Sequence, residues 1–216
     1  MTTYYLDAIQ GTDINAGTSP GEAWKTFERV NASEFSPGDR FLLKAETEFS
    51  GGLAPKGSGS ENAPIVIDRY GRGQNPVING NGKVENTVFL RNQQYWEICN
   101  LTITNTDGGD LAGDEGRAIR RAVYVTAEDA GELKHIHLKS LEVHNIRGMY
   151  RFGGSLTNGG IICRVLGNRI PTRFVDLRIE GCVFRTRSID RYPAIVTSSW
   201  QKSPACDVVW RDNTFD

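Results

Sequence analysis

The chain has 216 residues, of which 38% are hydrophobic and 24% are charged, and its formal net charge is −1. This length fits one domain with a sizeable core. No stretch approaches the roughly 18 apolar residues of a membrane-spanning helix, and the basic residues do not alternate with aromatic ones as in nucleic-acid-binding segments, so the sequence favours neither a membrane nor a nucleic acid as partner.

The N-terminal part is predicted to form a strand followed by a cap. Residues 4–6 predict the first strand, and a stretch rich in turn-forming residues follows. Trp24, Phe27 and Val30 then recur at helical spacing and predict an amphipathic helix over residues 22–30. Such a helix would cover the apolar end that a solenoid exposes.

Two kinds of strand alternate along the rest of the chain. Short apolar strands are predicted at residues 40–44, 64–68, 76–79, 87–91, 122–125, 160–163 and 194–196. A bent strand recurs four times, at residues 96–104, 136–144, 177–185 and 208–216. Each copy alternates apolar and polar residues on both sides of a small or polar residue that tolerates unusual backbone angles: Asn100, Ser140, Gly181 and Asp212.

This recurrence predicts the fold class. A strand, a loop and a bent strand that return every roughly 30 to 40 residues are typical of one coil of a solenoid. Because no coil can bury its apolar side alone, the coils must stack. The sequence therefore predicts an all-β, right-handed parallel β-helix as a single domain over residues 1–216, with the N-terminal strand and capping helix in residues 1–40 and the coils in residues 41–216.

Several short motifs also carry a family resemblance. They are Tyr4-Tyr-Leu-Asp, Gly11-Thr-Asp-Ile-Asn-Ala-Gly-Thr-Ser-Pro, Ala23-Trp-Lys-Thr, Pro37-Gly-Asp, Gly57-Ser-Gly and Pro76-Val-Ile-Asn-Gly. Together they resemble the entry segment of bacterial parallel β-helix proteins of the pectate-lyase-like superfamily. The resemblance implies a carbohydrate-active protein, either a polysaccharide lyase or a glycoside hydrolase. The sequence leads straight into the first strand without a secretory signal, so either the protein is intracellular or a signal has been removed; the abrupt start favours the second, and we expect a protein that is secreted, periplasmic or on the cell surface. Because the chain stops inside the fourth bent strand, we expect it to be the N-terminal portion of a longer protein whose remaining coils stack on it.

Three insertions occupy equivalent positions in the repeat. Residues 106–121, 146–159 and 186–193 each follow a bent strand and precede a short one, so they should line up along one side of the solenoid. The candidate catalytic residues are Arg120, Arg121, Arg151, Asp110 and Asp190. The candidate substrate-binding residues are Arg147, Tyr150, Arg191, Tyr192 and Trp200.

Two reactions can use these side chains. In β-elimination on a uronate polymer, a cation neutralises the substrate carboxylate and a base removes the C5 proton; the three arginines are the candidates, although arginine is nearly always protonated. In glycoside hydrolysis, two carboxylates act as acid and as base or nucleophile. We expect the lyase reaction slightly ahead of hydrolysis. A non-catalytic glycan-binding or adhesion module is the third possibility.

The charge distribution predicts an anionic polysaccharide as substrate. Residues 147–191 contain nine arginines, three carboxylates and no lysine, an excess of +6 (9 − 3). The planar guanidinium fork suits carboxylate or sulfate groups. The alternative is that arginine simply occupies outward strand positions and keeps the protein soluble.

The sequence gives only weak indications of a metal site. Asp107, Asp114 and Glu115 could hold Ca²⁺ through oxygen ligands, although their spacing matches no calcium motif and a solvated acidic loop is the alternative. His135 and His137 share one strand face, but zinc would need a third ligand close by, so surface histidines are expected. Cys163 and Cys182, at inward positions of the pattern, are predicted to be buried thiols.

Overall fold

The computed structural model describes residues 1–106, 119–146, 148, 158–185, 194–199 and 206–216. Within these ranges there is one short α-helix, α1 (Glu28–Ala32), and no helix long and apolar enough to cross a membrane. The strands of the described ranges are β1 (Thr3–Leu6), β2 (Glu34–Phe35), β3 (Arg40–Lys44), β4 (Glu48–Ser50), β5 (Lys56–Gly57), β6 (Ile65–Tyr70), β7 (Val77–Asn79), β8 (Asn86–Arg91), β9 (Trp96–Cys99), β10 (Thr102–Asn105), β11 (Arg121–Glu128), β12 (Glu132–Lys139), β13 (Glu142–Ile146), β14 (Gly159–Leu166), β15 (Arg173–Glu180), β16 (Val183–Arg185), β17 (Ile195–Ser199), β18 (Val208–Arg211) and β19 (Thr214–Phe215).

Three parallel sheets run along the stack. A seven-stranded sheet has the order β1-β3-β6-β9-β12-β15-β18, a six-stranded sheet β4-β7-β10-β13-β16-β19 and a four-stranded sheet β8-β11-β14-β17, while β2 pairs with β5. The chain visits the three large sheets in turn, so β9, β10 and β11 form one coil and β12, β13 and β14 form the next. The predicted parallel β-helix is confirmed.

The core fills the space between the sheets. Equivalent apolar residues of successive coils pair in register, as Trp96 does with Ile136 and Ile136 with Leu177. Inward residues of all three large sheets belong to one buried cluster that begins at Leu6 and ends at Ile195. Strand alternation directs the remaining side chains outward.

The bend residues of the repeat behave as predicted. Each connects a strand of the seven-stranded sheet to one of the six-stranded sheet, and each has a left-handed backbone: φ is 54° at Asn100, 53° at Ser140, 62° at Gly181 and 55° at Asp212. Left-handed residues turn the chain sharply, and asparagine, aspartate and glycine adopt this conformation at low cost. The bend is therefore the local feature that divides the bent strand between two sheets.

The N-terminal helix is shorter than predicted. Only residues Glu28–Ala32 are α-helical, and Trp24 is extended instead, because its N–H donates to the Tyr5 carbonyl (2.9 Å) and its carbonyl accepts from Asp7 N–H (2.8 Å). Trp24, Phe27 and Val30 are all buried in the core cluster, so the residues do cover apolar surface at the first coil.

Three of the four cysteines are buried, and all four are free thiols. Cys163 is fully enclosed, and burial raises the pKa of its thiol to about 12. The prediction of buried thiols at Cys163 and Cys182 is confirmed. A thiol with so high a pKa is unreactive at neutral pH.

A substitution at Gly181 tests the bend. A Cβ there would meet only Ser140 Oγ, at 3.7 Å, so the cost of a side chain comes from the backbone alone. We expect Gly181→Val to lower the free energy of unfolding by about 1–2 kcal/mol and Gly181→Asn to lower it by less, because asparagine tolerates left-handed angles. Urea denaturation of both variants measures the difference. Equal losses would show that the left-handed conformation is not what the position requires.

Asp7 is a buried carboxylate that connects parts of the first coil through hydrogen bonds. It is 2% exposed; its Oδ2 accepts a hydrogen bond from Lys44 Nζ (2.6 Å), and its Oδ1 accepts from the backbone N–H of Ile9 (2.9 Å) and Gln10 (3.0 Å). Burial alone would raise the pKa of this carboxyl, but the hydrogen bonds outweigh it and hold the pKa below the ordinary 3.8. The ionised form is therefore more stable in the folded protein than in the unfolded chain.

This lowered pKa predicts a pH dependence of stability. The contribution of Asp7 should be complete above the ordinary pKa of 3.8 and should disappear as the pH falls through the lower folded-state pKa. We expect Asp7→Asn to be less stable than the natural sequence at pH 7, by about 1–3 kcal/mol, and this gap to narrow below pH 3.8. Urea unfolding at several pH values measures the gap. A gap independent of pH would contradict the assignment.

Candidate active site

The attachment points of the three predicted loops line up. The loops leave from the ends of β10, β13 and β16, which are neighbours in the six-stranded sheet, and return at β11, β14 and β17, which are neighbours in the four-stranded sheet. An earlier connection, between β7 and β8, occupies the equivalent position one coil before. The edge between these two sheets is therefore where loops of successive coils come together.

Most of the predicted site residues lie outside the described residues. This applies to the candidate catalytic residues Arg151, Asp110 and Asp190, to the candidate substrate-binding residues Arg147, Tyr150, Arg191, Tyr192 and Trp200, and to the candidate calcium ligands Asp107, Asp114 and Glu115. Arg120 and Arg121 are described, and both are buried. These roles remain predictions.

Arg121 begins β11 and is 4% exposed. Its Nη1 donates a hydrogen bond to Asn86 Oδ1 (2.9 Å) in the preceding coil and lies 4.0 Å from Glu85 Oε2. Its guanidinium carbon lies 4.2 Å from the centroid of the Tyr124 ring, close enough for a cation–π interaction. A guanidinium can be buried only when such partners replace water.

The electrostatic environment of Arg121 favours a role as a charged hydrogen-bond donor rather than as a base. Burial lowers the pKa of Arg121, while Tyr124 and Glu85 raise it and nearby Arg164 lowers it again. Guanidinium groups keep their proton in proteins at neutral pH. Arg121 therefore supplies a positively charged hydrogen-bond donor, and the geometry gives no support for proton abstraction by this residue.

Arg120 contacts a different part of the fold. Its guanidinium lies against Gly82 in the β7–β8 connection, where a Cβ would come within 2.7 Å of it. Its backbone N–H donates to Asn158 Oδ1 (2.6 Å), which precedes β14. The residue thus links three coils at the loop edge.

A row of rings and polar groups lies on the outer face of the four-stranded sheet. Phe89 and Tyr124 pair in register, and their rings stack at 5.6 Å with an interplanar angle of 13°. Two residues further along their strands, Thr126 pairs with Arg164, which is 4% exposed. We call Phe89, Arg121, Tyr124, Thr126 and Arg164 the arginine–aromatic face. Rings that stack on apolar sugar surfaces and donors that bind hydroxyl groups are what an oligosaccharide site needs.

Sequence reasoning missed Phe89, Tyr124 and Arg164 as site candidates. Phe89 and Tyr124 each stand between two core residues of a short strand, so alternation alone places them on the outer face. Because both residues are apolar, each strand looks like a continuous apolar run in the sequence, and the alternation between inner and outer faces is not apparent. The stacking of the two rings required the register between coils.

The arginine excess has a structural explanation in the described ranges. Four described arginines between positions 147 and 191 form ion pairs with carboxylates, three of them with the coil before: Arg169 with Asp129 (3.0 Å), Arg173 with Glu132, Arg178 with Asp176, and Arg185 with Glu142 (3.0 Å). The basic stretch therefore meets an acidic partner on the neighbouring coil, and the excess does not by itself require an anionic ligand.

Comparison with known proteins finds relatives that act on carbohydrates. No protein-family model matches the chain. It is 30% identical over 206 residues to a lacto-N-biosidase of Bifidobacterium longum, covering 74% of this chain and 13% of that protein, and 28% identical over 127 residues to an alpha-1,3-galactosidase A of Akkermansia muciniphila, covering 54% of this chain and 21% of that protein. The homologues are glycoside hydrolases. The chain spans only a small part of each of them.

Two solved structures have a fold similar to that of this chain. The crystal structure of a GH136 lacto-N-biosidase from Eubacterium ramulus superposes with a TM-score of 0.80 at 26% identity, over 92% of this chain and 36% of that one. A rhamnogalacturonan lyase has a TM-score of 0.57 at 13% identity over 99% of this chain and 56% of that one, a likeness of fold alone. Homology thus supports a protein that acts on carbohydrates.

A double-mutant cycle tests the buried contact at the start of β11. We expect Arg121→Met and Tyr124→Leu to destabilise the protein together by less than the sum of the single effects, with a coupling energy of about 0.5–2 kcal/mol, because both remove the same cation–π contact. Urea unfolding of the two single variants and the double variant gives the coupling. Additive losses would mean that guanidinium and ring do not interact.

Proposed function

We propose that this chain is part of a glycoside hydrolase that cleaves a glycosidic bond in an oligosaccharide. The observation that carries the proposal is the TM-score of 0.80 at 26% identity over 92% of the chain to a lacto-N-biosidase. The 30% identity to a second lacto-N-biosidase supports it independently. Both relatives are longer than this chain, so the activity belongs to the protein that includes these coils.

Hydrolysis is a better proposal than elimination. Sequence identities of 26 to 30% point to glycosidases, whereas the lyase similarity is limited to the fold at 13% identity. The arginine role that elimination would need finds no support at Arg121. We propose that Asp110 and Asp190, from loops attached to different coils, supply the acid and the base or nucleophile of hydrolysis. Asp107, Asp114 and Glu115 are the alternative carboxylates in the first of these loops.

The proposed substrate is a neutral oligosaccharide bound against the arginine–aromatic face. Because four described arginines are already paired with carboxylates, the charge pattern no longer favours a uronate polymer. Phe89 and Tyr124 are partly exposed and offer two stacked rings on this face, while the buried Arg121 holds the Tyr124 ring in place through its cation–π contact. We further propose membership of the pectate-lyase-like superfamily, as the sequence resemblance implies, and action outside the cytoplasm.

The reaction is tested on two groups of substrates. We expect the full-length protein containing this chain to release reducing sugar from p-nitrophenyl lacto-N-bioside or p-nitrophenyl α-galactoside, without forming the ultraviolet-absorbing unsaturated uronate on alginate or rhamnogalacturonan. Formation of the unsaturated product would overturn hydrolysis in favour of elimination. Glycan binding without turnover would instead identify a binding module. The absence of both binding and turnover would refute a carbohydrate function.

A matched pair of tyrosine variants tests the binding face. Tyr124→Ala should weaken oligosaccharide binding by roughly 5- to 30-fold, the loss expected when one stacked ring is removed at about 1–2 kcal/mol. Tyr5→Ala is the control, since Tyr5 stacks edge-on with Tyr70 on the seven-stranded sheet, away from the loop edge. Isothermal titration calorimetry measures both, and circular dichroism verifies folding. Equal affinities in the two variants would remove the arginine–aromatic face from the proposal.

A further inference from the structure

Two histidines lie together on the outer face of the seven-stranded sheet. His135 and His137 belong to β12, where Ile136 and Leu138 point into the core. Residues two apart in a regular strand are separated by about 6.6 Å. The backbone of His135 is left-handed, with φ of 51°, and the two ring centroids are only 3.7 Å apart. His137 is 6% exposed and the His135 side chain 26%, so one histidine of the pair is buried and the other is partly exposed.

A carboxylate from each neighbouring coil faces both rings. Glu97 Oε1, on β9, lies 3.0 Å from His135 Nε2 and 4.0 Å from His137 Nδ1. Asp176 Oδ2, on β15, lies 2.8 Å from His137 Nε2 and 3.2 Å from His135 Nδ1. Each imidazole therefore presents one nitrogen to Glu97 and the other to Asp176.

One ring nitrogen in this arrangement lacks a hydrogen-bond partner. A neutral imidazole carries a single N–H, so a ring that donates to Asp176 presents a lone pair on the side of Glu97. The buried Nδ1 of His137 has no hydrogen-bond partner. His135 Nε2 lies within hydrogen-bonding distance of Glu97 Oε1 (3.0 Å). The lone pair of His137 Nδ1 therefore faces the same small volume as this carboxylate oxygen, and a metal ion there can take the place of the His135 proton.

We propose that Glu97, His135 and His137 bind a divalent transition-metal ion, with zinc as the best fit. One ligand atom from each residue lies within 4.8 Å of the others. Tetrahedral zinc with bonds of about 2.0–2.1 Å holds its ligand atoms roughly 3.4 Å apart, so small side-chain movements close the site. Three protein ligands leave a fourth position for water or another ligand. Asp176 accepts the remaining N–H groups and orients both rings, as outer carboxylates do for metal-bound histidines.

The surrounding charges indicate which metal binds. Lys139 Nζ lies 3.4 Å from Glu97 Oε2, and Arg178 Nε donates to Asp176 Oδ1. The two cations balance the two carboxylates, so the site holds no negative excess that would attract hard cations such as Ca²⁺ or Mg²⁺. Binding depends on the imidazole nitrogens, which suit zinc, copper, nickel and cobalt.

Metal titration without substrate tests the site separately from any glycosidase activity. We expect calorimetry to show one Zn²⁺ per chain and Co²⁺ to give the visible absorption of a tetrahedral complex, while Ca²⁺ and Mg²⁺ leave the site empty. Asp176→Asn should weaken zinc binding by about 10- to 100-fold. His135→Ala and Glu97→Gln, which each remove a direct ligand, should weaken it more.

His144→Ala is the matched control, because His144 is on β13 in the neighbouring sheet and outside the cluster. It should bind zinc like the natural sequence. Circular dichroism verifies that each variant is folded. Glu97→Gln preserves side-chain shape, whereas His135→Ala also removes packing contacts of the ring. The proposal is overturned if the natural sequence binds no zinc, if binding survives in Glu97→Gln and His135→Ala, or if His144→Ala loses it equally.

Discussion

The whole structure depends on parallel, in-register stacking of coils. Strands of successive coils lie about 4.8 Å apart, and equivalent residues become neighbours although roughly 30 to 40 positions separate them in the chain. The core, the ion pairs and the ring contacts all follow from this one constraint. Arg169 reaches Asp129 and Arg173 reaches Glu132 because each pair occupies adjacent coils. A change of register by one residue would exchange the inner and outer faces of a strand.

The repeat could be predicted from sequence because its signals are local. Alternation within each strand and a bend residue such as Asn100 or Gly181 are visible in a window of nine residues, and both bends have the left-handed backbone that their residue types favour. The N-terminal helix was overestimated for a non-local reason. Helical spacing of Trp24 and Phe27 reflects burial on one side, while Trp24 is held extended by donating to the Tyr5 carbonyl and accepting from Asp7 N–H. Spacing alone does not distinguish these cases.

The site was less predictable, because its properties depend on contacts between coils. The loop positions followed from the repeat, and the aligned ends of β10, β13 and β16 agree with them. Charge counted along the chain was misleading, since Arg173 and Arg185 are balanced by carboxylates one coil earlier. Net charge over a segment says little in a solenoid, where the electrostatic neighbours of a residue are in other segments. Which loop carboxylates face the substrate depends on how the loops fold, and local pattern does not determine that.

The histidine pair illustrates that the sequence of a β-helix is better analysed as an alignment of its successive coils. Along the chain, His135 and His137 lack a third ligand, and that absence argued against zinc. In the repeat, however, Trp96 aligns with Ile136, so Glu97 occupies the position of His137 one coil earlier, and Asp176 occupies that of His135 one coil later. Both carboxylates were therefore present in the aligned copies. A polar residue on an outer strand position has its nearest partners one repeat away in either direction, and a search for ligands in a β-helix should begin there.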